Sequence, residues 1–171
     1  MNPKVRDAAL RLVGRAEAQS RRGATADAQA LAGLALETHG RIPPWYIELL
    51  TTIPLCDLEL GWPGYPPTED DPGTAWMQWS NVKDMRQESL NRHPGLDILD
   101  HGYLNVALDI DGNGDPYFIP VEEGDDPPVY RVYDEAGWKP EQVLAEGLVL
   151  VARSLSELFS TALLRGDRVS V

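Results

Sequence analysis

The chain offers almost no cysteine chemistry. Cys56 is the single cysteine among 171 residues, so no internal disulfide forms, and a chain of this length buries a core without a disulfide or a metal. Its neighbours Leu55 and Leu58 predict a small buried core residue rather than a reactive thiol. One unpaired thiol and no signal-like N-terminus lead us to expect a cytoplasmic protein.

Long apolar runs are also missing. No run approaches the roughly 20 residues of a membrane-spanning helix, so we expect no membrane association. Histidine is scarce, and its three positions lack the spacing of a metal site. They are His39, His93 and His101. We therefore expect no bound metal.

Catalytic motifs are absent as well. The Asp-Gly-Asn-Gly stretch at 111–114 is followed by neither a helix nor a lysine, so it is not a phosphate-binding loop. Ser154 and Ser156 fit a helix cap, with Glu157 three residues after Ser154, rather than a nucleophile elbow. The sequence predicts a protein that is not an enzyme and needs no cofactor.

Positive charge is unevenly distributed on a chain whose net charge is −12. Residues 1–41 hold seven basic and four acidic residues, whereas the remaining 130 hold eight basic and 23 acidic ones. No Lys or Arg occurs between Arg41 and Lys83 or between Arg92 and Arg131. The acidic surface expected of residues 42–171 repels phosphate backbones, so we expect no nucleic-acid binding. Two interpretations stay open: solubility alone, or a surface that docks a basic partner.

Three apolar, β-branched runs form the centre of the predicted fold: Tyr103–Ile110, Tyr117–Val121 and Val129–Tyr133. Turn-forming Gly, Asp, Asn and Pro residues separate them, which is typical of consecutive antiparallel strands. In the first run, alternate residues share a face, so we expect these strands to be the middle of a sheet with helices covering one side.

The turn between the first two runs resembles half of a calcium loop. Asp109-Ile110-Asp111-Gly112-Asn113-Gly114-Asp115 supplies oxygen ligands at alternate positions and a glycine at the sixth. A calcium loop requires a bidentate glutamate at its twelfth position, and that position is Pro120 here. It also requires helices on both sides, whereas the flanking runs are predicted to be strands. We interpret Asp111, Gly112, Asn113, Gly114 and Asp115 as a structural hairpin turn that does not need calcium.

The rest of the chain is predicted mainly from its apolar spacing. Helices are expected at about 3–22, 27–38, from Pro43 or Pro44 onward, from Ser80 or Asn81 to 92, at 141–146 and after Ser154. Strands are expected at 54–62 and 74–79, and residues 147–152 fit either a strand or a buried connector. Ile98 and Leu99 are expected to begin the edge of the sheet.

Two acidic, proline-containing loops and nearby aromatics are the candidate binding surface. An exposed aromatic beside carboxylates gives an anchor with a charged rim, which is common in protein interfaces. The candidate partner-binding residues are Trp62, Tyr65, Glu69, Asp70, Asp71, Glu122, Glu123, Asp125 and Asp126.

Several short segments also occur in a characteristic order. They are Leu36-Glu37-Thr38-His39-Gly40, Ile42 to Leu50 with its Pro-Pro-Trp-Tyr start, Trp79 to Met85, Val106 to Ile119 with Gly114-Asp115-Pro116-Tyr117, Val129-Tyr130, and Ala152 to Phe159. Their order resembles the SUKH superfamily, whose members include bacterial toxin-immunity proteins and a fungal regulator of cell-wall synthesis. The resemblance covers about residues 30–165.

The resemblance implies an α+β fold: a twisted antiparallel sheet of about five to six strands with helices mainly on one side. We expect one SUKH-like domain over 1–171, with a core at 26–165 and an extra N-terminal helix within 1–25. The implied function is that of an immunity protein, which binds and neutralises a cognate toxin, such as a nuclease or deaminase, through an acidic surface. The alternative is a regulatory protein-interaction module without a toxin partner.

Overall fold

A curled antiparallel sheet forms the centre of the protein, whose computed structural model describes residues 1–165 and 167. Within these residues the strands are β1 (Glu59–Pro63), β2 (Thr74–Trp79), β3 (Tyr103–Asp109), β4 (Tyr117–Pro120), β5 (Val129–Val132) and β6 (Leu148–Ala152). Each pairs with the next along the chain, in the order β1-β2-β3-β4-β5-β6. The fold is α+β, as predicted, and the three central strands of the sequence analysis are confirmed.

Helices cover both faces of the sheet, but unequally. They are α1 (Pro3–Ala18), α2 (Ala28–Glu37), α3 (Pro44–Thr52), α4 (Val82–Leu90), α5 (Gly95–Ile98), α6 (Pro140–Glu146) and α7 (Leu155–Thr161), with 3-10 turns at Leu99–His101 and Asp134–Ala136. The main core joins one sheet face to α1, α2, α3, α4 and α7, whereas α5 and α6 cover a smaller cluster on the other face. Strand β4 shows the division, because Tyr117 and Ile119 lie in the main core and Phe118 lies in the smaller cluster.

The N-terminal helix is part of the main core. Its apolar stripe is Val5, Ala8, Ala9, Leu12, Val13 and Ala16, and all six are buried. The helix packs on α7, and Arg15 donates to the carbonyl oxygen of Ala162 at 3.0 Å. It ends at Ala18 rather than near residue 22, because Ser20 turns to a φ of 60° and the Arg21 N–H bonds back to the Ala16 carbonyl.

Two predicted strand segments are wrong. Residues 54–58 do not belong to β1, because Asp57 has a φ of 66°, which breaks an extended run. Cys56 instead forms an isolated bridge with Ala24. Ile98 and Leu99 lie in α5 and the following 3-10 turn rather than at a sheet edge, and Ile98 packs in the smaller cluster with Phe118.

The antiparallel order sends the connecting loops to two opposite ends of the sheet. The pocket end carries the β1–β2 loop (64–73), the β3–β4 turn (110–116) and the β5–β6 connection (133–147). The far end carries the β4–β5 loop (121–128) and the start of α7. No helix in the described part of the chain has the length and apolarity to cross a membrane.

Candidate functional site

A pocket of about 600 Å³ opens at the pocket end of the sheet. Three separate chain segments line it: the β1–β2 loop, the β3–β4 turn, and β5 with the connection that follows it. The lining residues are Tyr65, Asn113, Asp115, Arg131, Tyr133, Glu135, Ala136 and Glu146. We call this cavity the Tyr65 pocket.

A buried ion pair forms the base of the Tyr65 pocket. The Arg131 side chain, from β5, donates through Nε at 3.1 Å and through Nη2 at 2.5 Å to Oδ2 of Asp115, the residue that ends the Asp111–Asp115 turn. Arg131 is 4% exposed and Asp115 is 6% exposed. Because a pair with this geometry is desolvated and doubly bonded, it holds β5 to the turn before β4 in one arrangement.

The same guanidinium orders two tyrosines at the pocket mouth. Arg131 Nη1 donates to the Tyr65 hydroxyl oxygen at 2.8 Å, and Asn113 Nδ2 donates to that oxygen at 2.8 Å. The guanidinium carbon lies 5.5 Å from the ring centroid of Tyr65 and 5.3 Å from that of Tyr133. Burial alone would lower the pKa of Arg131, but its bonds to Asp115 and Tyr65 raise that pKa above its usual value. Arg131 is therefore a permanent cation.

The electrostatic balance of the Tyr65 pocket is negative. Arg131 is its one basic lining residue, and Asp115 already neutralises it. The carboxylates of Glu135 and Glu146 remain, and both residues are exposed. The pocket therefore suits a cationic group and disfavours an anion.

The carboxylates of the β3–β4 turn bind backbone N–H groups of the turn itself and of β2. Asp109 Oδ2 accepts the N–H groups of Asn113 at 2.8 Å and Gly114 at 3.1 Å, and Asp111 Oδ2 accepts the Trp76 N–H at 2.6 Å. Gly112 and Gly114 have positive φ values of 89° and 82°, a region that favours glycine. In residues 1–165 and 167, no group of three or more His, Cys, Asp or Glu is arranged to hold a metal.

The two candidate aromatic anchors differ in exposure. Tyr65 is 40% exposed at the pocket mouth. Trp62 is only 7% exposed, and its Nε1 donates to the Tyr117 hydroxyl at 3.2 Å across an edge-to-face contact. The prediction of Trp62 as an exposed anchor is wrong, because its indole fills space over β4, where burial of a large ring is favourable.

The acidic residues of the β1–β2 loop point into solvent. Glu69, Asp70 and Asp71 are all exposed. Asp71 Oδ1 accepts the Gly73 N–H at 2.8 Å and so helps to close the loop. Glu69 and Asp70 have no hydrogen bond or ion pair within the described residues, so their charges are available to a partner at the pocket end.

The acidic residues of the β4–β5 loop are mostly engaged with the rest of the fold. Glu122 forms an ion pair with Arg41 at 3.1 Å, and Asp125 accepts the Asn2 Nδ2 group at 3.1 Å. Asp126 accepts the N–H of Ser156 at 2.8 Å and its hydroxyl at 2.7 Å, at the start of α7. Glu123 is exposed. The structure does not bring the two acidic loops together, because they lie at opposite ends of the sheet.

The sequence did not identify five of the pocket residues: Arg131, Tyr133, Glu135, Ala136 and Glu146. Arg131 appeared only as the basic residue that ends a long base-free span, inside a strand between Tyr130 and Val132. A lone arginine at an inward position of an apolar strand is the signal of a buried ion pair, since an unpaired buried charge is too costly. The partner, Asp115, is identifiable only once the register of β4 and β5 is known.

Cys56 and Ser154 do not line the Tyr65 pocket, and both have structural roles. Burial raises the pKa of the Cys56 thiol to about 11, and the residue is 2% exposed. Ser154 accepts the Glu157 N–H at 3.0 Å and acts as the predicted N-cap of α7.

Comparisons with protein-family models, with curated proteins and with solved structures gave no match to this chain.

Proposed function

We propose that the protein is a non-catalytic binding protein that captures a basic protein partner at the pocket end of its sheet. The observation that carries this proposal is the Tyr65 pocket itself: half-exposed tyrosines held by a buried ion pair and rimmed by carboxylates that have no cationic partner in the described chain. A lysine or arginine side chain of the partner enters between Glu135 and Glu146.

The ordering of Tyr65 and Tyr133 supports tight capture. Both rings are already fixed by Arg131 and, for Tyr65, by Asn113, so binding does not have to order them. Preorganised groups improve affinity because less conformational entropy is lost on association. A cation over an exposed ring contributes about 0.5–1 kcal/mol, and carboxylates beside it add to that attraction.

The charge of the β1–β2 loop supports fast association. Glu69 and Asp70 extend the negative surface from the Tyr65 pocket into a span without Lys or Arg. Complementary charge of this kind accelerates encounter with a basic partner and is weakened by salt. A nuclease or deaminase carries a basic surface for nucleic acid, so an acidic protein that occupies that surface blocks substrate access.

The specific role that we propose is that of an immunity protein against such a toxin. The SUKH resemblance carries this step, and the α+β fold with a meandering antiparallel sheet is the architecture that the resemblance implies. The bonded residues Asp125 and Asp126 are not part of the proposed interface, which is confined to the pocket end.

Co-expression with a toxin-like reading frame taken from the neighbourhood of the gene tests the proposal. We expect the wild-type protein to rescue growth and the Glu69→Lys/Asp70→Lys/Glu135→Lys variant to lose rescue while keeping its melting temperature. Glu123→Lys is the control, because Glu123 is also exposed but lies at the far end. Full rescue by the triple variant would overturn the pocket end as the interface.

Binding kinetics give a second readout with purified proteins. We expect association with the toxin to slow as salt rises, and dissociation to change much less. Tyr65→Ala should speed dissociation, because it removes a ring contact without removing charge. A partner that binds at this pocket but is harmless to the cell would instead favour the regulatory interaction module.

A further inference from the structure

Positive charge collects at one place outside the Tyr65 pocket. Residues 1–41 hold seven basic and four acidic residues, and two of these cations, Lys4 and Arg11, are exposed on α1. Arg153, just before α7, is exposed as well. None of the three side chains has a hydrogen bond or ion pair within residues 1–165 and 167. All three are therefore available to a ligand.

The three cations line one groove of about 620 Å³ between α1 and α7. The other lining residues are Asp7, Ser154, Ser156, Glu157 and Ser160. We call this cavity the α1–α7 groove. It reaches the start of α7, at the far end of the sheet, and shares no lining residue with the Tyr65 pocket. With three cations and two carboxylates it is locally positive on a chain whose net charge is −12, so it suits an anionic ligand.

The start of α7 does not offer this groove a phosphate site. Its first three N–H groups donate to the Pro127 carbonyl at 2.9 Å, to Asp126 at 2.8 Å and to Ser154 at 3.0 Å. Glu157 accepts the Arg153 N–H at 2.6 Å and keeps a carboxylate beside them. Phosphate sites at helix starts depend on free N–H groups, so the side-chain cations are what remains for an anion.

The spacing of the cations favours two anionic groups over one. Lys4 and Arg11 are seven residues apart on α1, which places their Cα atoms about 10 Å apart along the helix axis. Asp7 lies between them on the same helix face, three residues after Lys4 and four before Arg11. A single anion at the centre would meet the Asp7 carboxylate, whereas two carboxylates about 10 Å apart would each meet one cation.

We propose that the α1–α7 groove binds an extended acidic segment of a second protein partner. A segment in the polyproline II conformation advances about 9 Å in one turn of three residues, so acidic residues at every third position meet both Lys4 and Arg11. Arg153 adds a third cation from the α7 side. The Tyr65 pocket takes no part in this contact, so one molecule holds a basic partner at one end of the sheet and an acidic segment at the other.

Fluorescence anisotropy with the purified full chain tests this proposal. The probe is a fluorescein-labelled peptide of repeated Glu-Pro-Pro, and its control is the same peptide with glutamine in place of glutamate. We expect the glutamate peptide to bind, the glutamine peptide not to bind, and binding to weaken as salt rises. Inorganic phosphate should displace the probe no better than chloride at the same ionic strength. Stronger displacement by phosphate would show a single-anion site and overturn the proposal.

Variants of the groove should change the affinity in opposite directions. Lys4→Gln and Arg11→Gln should each weaken peptide binding about two- to fivefold, the effect expected of one exposed ion pair. Lys4→Glu/Arg11→Glu/Arg153→Glu should abolish binding. Asp7→Asn should strengthen binding about twofold or more, because it removes the carboxylate between the two cations.

Arg22→Glu/Lys83→Glu/Lys139→Glu is the matched control. It changes the net charge equally, at three exposed cations that have no ion pair within the described chain and do not line the groove. It should bind the peptide as the wild type does, and both triple variants should keep the wild-type melting temperature. Equal loss of binding in both triple variants would overturn the proposal, because net charge alone would then explain it. So would equal affinity for the glutamine peptide, or an Asp7→Asn variant that binds no more tightly than the wild type.

Discussion

The β1–β2 loop and the β4–β5 loop have similar acidic, proline-containing sequences but opposite relations to the fold. Glu69 and Asp70 of the first loop have no bonded partner in the described chain. In the second loop, Asp125 holds the N-terminus of α1 through Asn2, and Asp126 holds the start of α7 through Ser156. Composition alone therefore does not separate a binding surface from structural carboxylates; the hydrogen-bond partners do.

The two loops also lie over different parts of the fold. The β1–β2 loop borders the Tyr65 pocket, whose base is the ion pair between Arg131 and Asp115. The β4–β5 loop lies against two helix N-termini. At α7, Asp126 accepts the backbone N–H of Ser156, which has no partner within the helix. At α1, Asp125 accepts the side-chain amide of the N-cap residue Asn2. At the pocket end, the carboxylates of Glu69 and Asp70 stay unbonded beside the Arg131–Asp115 ion pair. At the far end, the carboxylates of Asp125 and Asp126 join α1 and α7 to the sheet.

The largest expected effect comes from the base of the Tyr65 pocket. Arg131→Met should lower the free energy of unfolding by about 3–5 kcal/mol, because it removes the guanidinium that balances a buried carboxylate. The double variant Arg131→Met/Asp115→Leu should recover much of that loss. Urea denaturation measures both values, and a loss below about 1 kcal/mol in the single variant would contradict a structural ion pair.

The next effect tests the turn that precedes Asp115. Gly114→Val should cost about 1–3 kcal/mol, because a β-branched residue is strained at a φ of 82°. A Cβ atom at Gly114 would meet no heavy atom within 4 Å, so the cost is conformational rather than steric crowding. Glu123→Ala, at the exposed tip of the other loop, is the control. Equal melting temperatures for the two variants would count against this account.

A smaller loss is expected at the far end. Asp126→Ala should destabilise the protein by about 1–2 kcal/mol, because Ser156 loses an acceptor for its N–H and its hydroxyl at the start of α7. Asp126→Asn should retain part of the stability, since an amide oxygen still accepts one bond. Amide hydrogen exchange in α7 localises the effect, and unchanged protection in Asp126→Ala would refute it.

The free charges of the β1–β2 loop should matter little to stability. Glu69→Gln and Asp70→Asn should each change the free energy of unfolding by less than about 0.5 kcal/mol. Thermal melts measure this effect: the melting temperatures of Glu69→Gln and Asp70→Asn should stay near that of the wild type, whereas that of Asp126→Asn should fall. A loss as large as that of Asp126→Asn would show that the first loop is structural too.

The smallest expected effect is that of calcium on the β3–β4 turn. Asp109 and Asp111 already accept backbone N–H groups, and Pro120 replaces the bidentate glutamate. Thermal melts with calcium and with chelator should therefore overlay. Specific binding at 100 times Kd would stabilise the protein by about 2.7 kcal/mol, a shift that the melts would reveal.

Local patterns in the sequence were sufficient for most elements of the fold. Period-two alternation located β3 and the neighbouring strands, and apolar spacing located the helices, including the cap at Ser154. The failures occurred where backbone geometry overrides composition. Asp57 adopts a positive φ inside an apolar run. Ile98 and Leu99 lie in short helical turns, from which Ile98 packs against Phe118 and Leu99 joins the main core.

The candidate site was predicted only in part. Tyr65, Glu69 and Asp70 were proposed from composition, because exposed loops rich in Pro and Asp can be recognised locally. Arg131, Tyr133, Glu135, Ala136 and Glu146 were missed, and Trp62 was placed on the surface although it packs on Tyr117. The contacts of Arg131 and Trp62 join residues far apart in the chain. Glu135 and Glu146 line the pocket because the fold brings the β5–β6 connection to the same end as Tyr65.

The sequence by itself determined the α+β class, the central strands, the glycine turn and the acidic character of both loops, because these depend on residue type and short-range spacing. Only the tertiary structure decided that the loops lie at opposite ends and that Arg131 pairs with Asp115. Strand order and register decide these features, and they arise from packing over the whole chain.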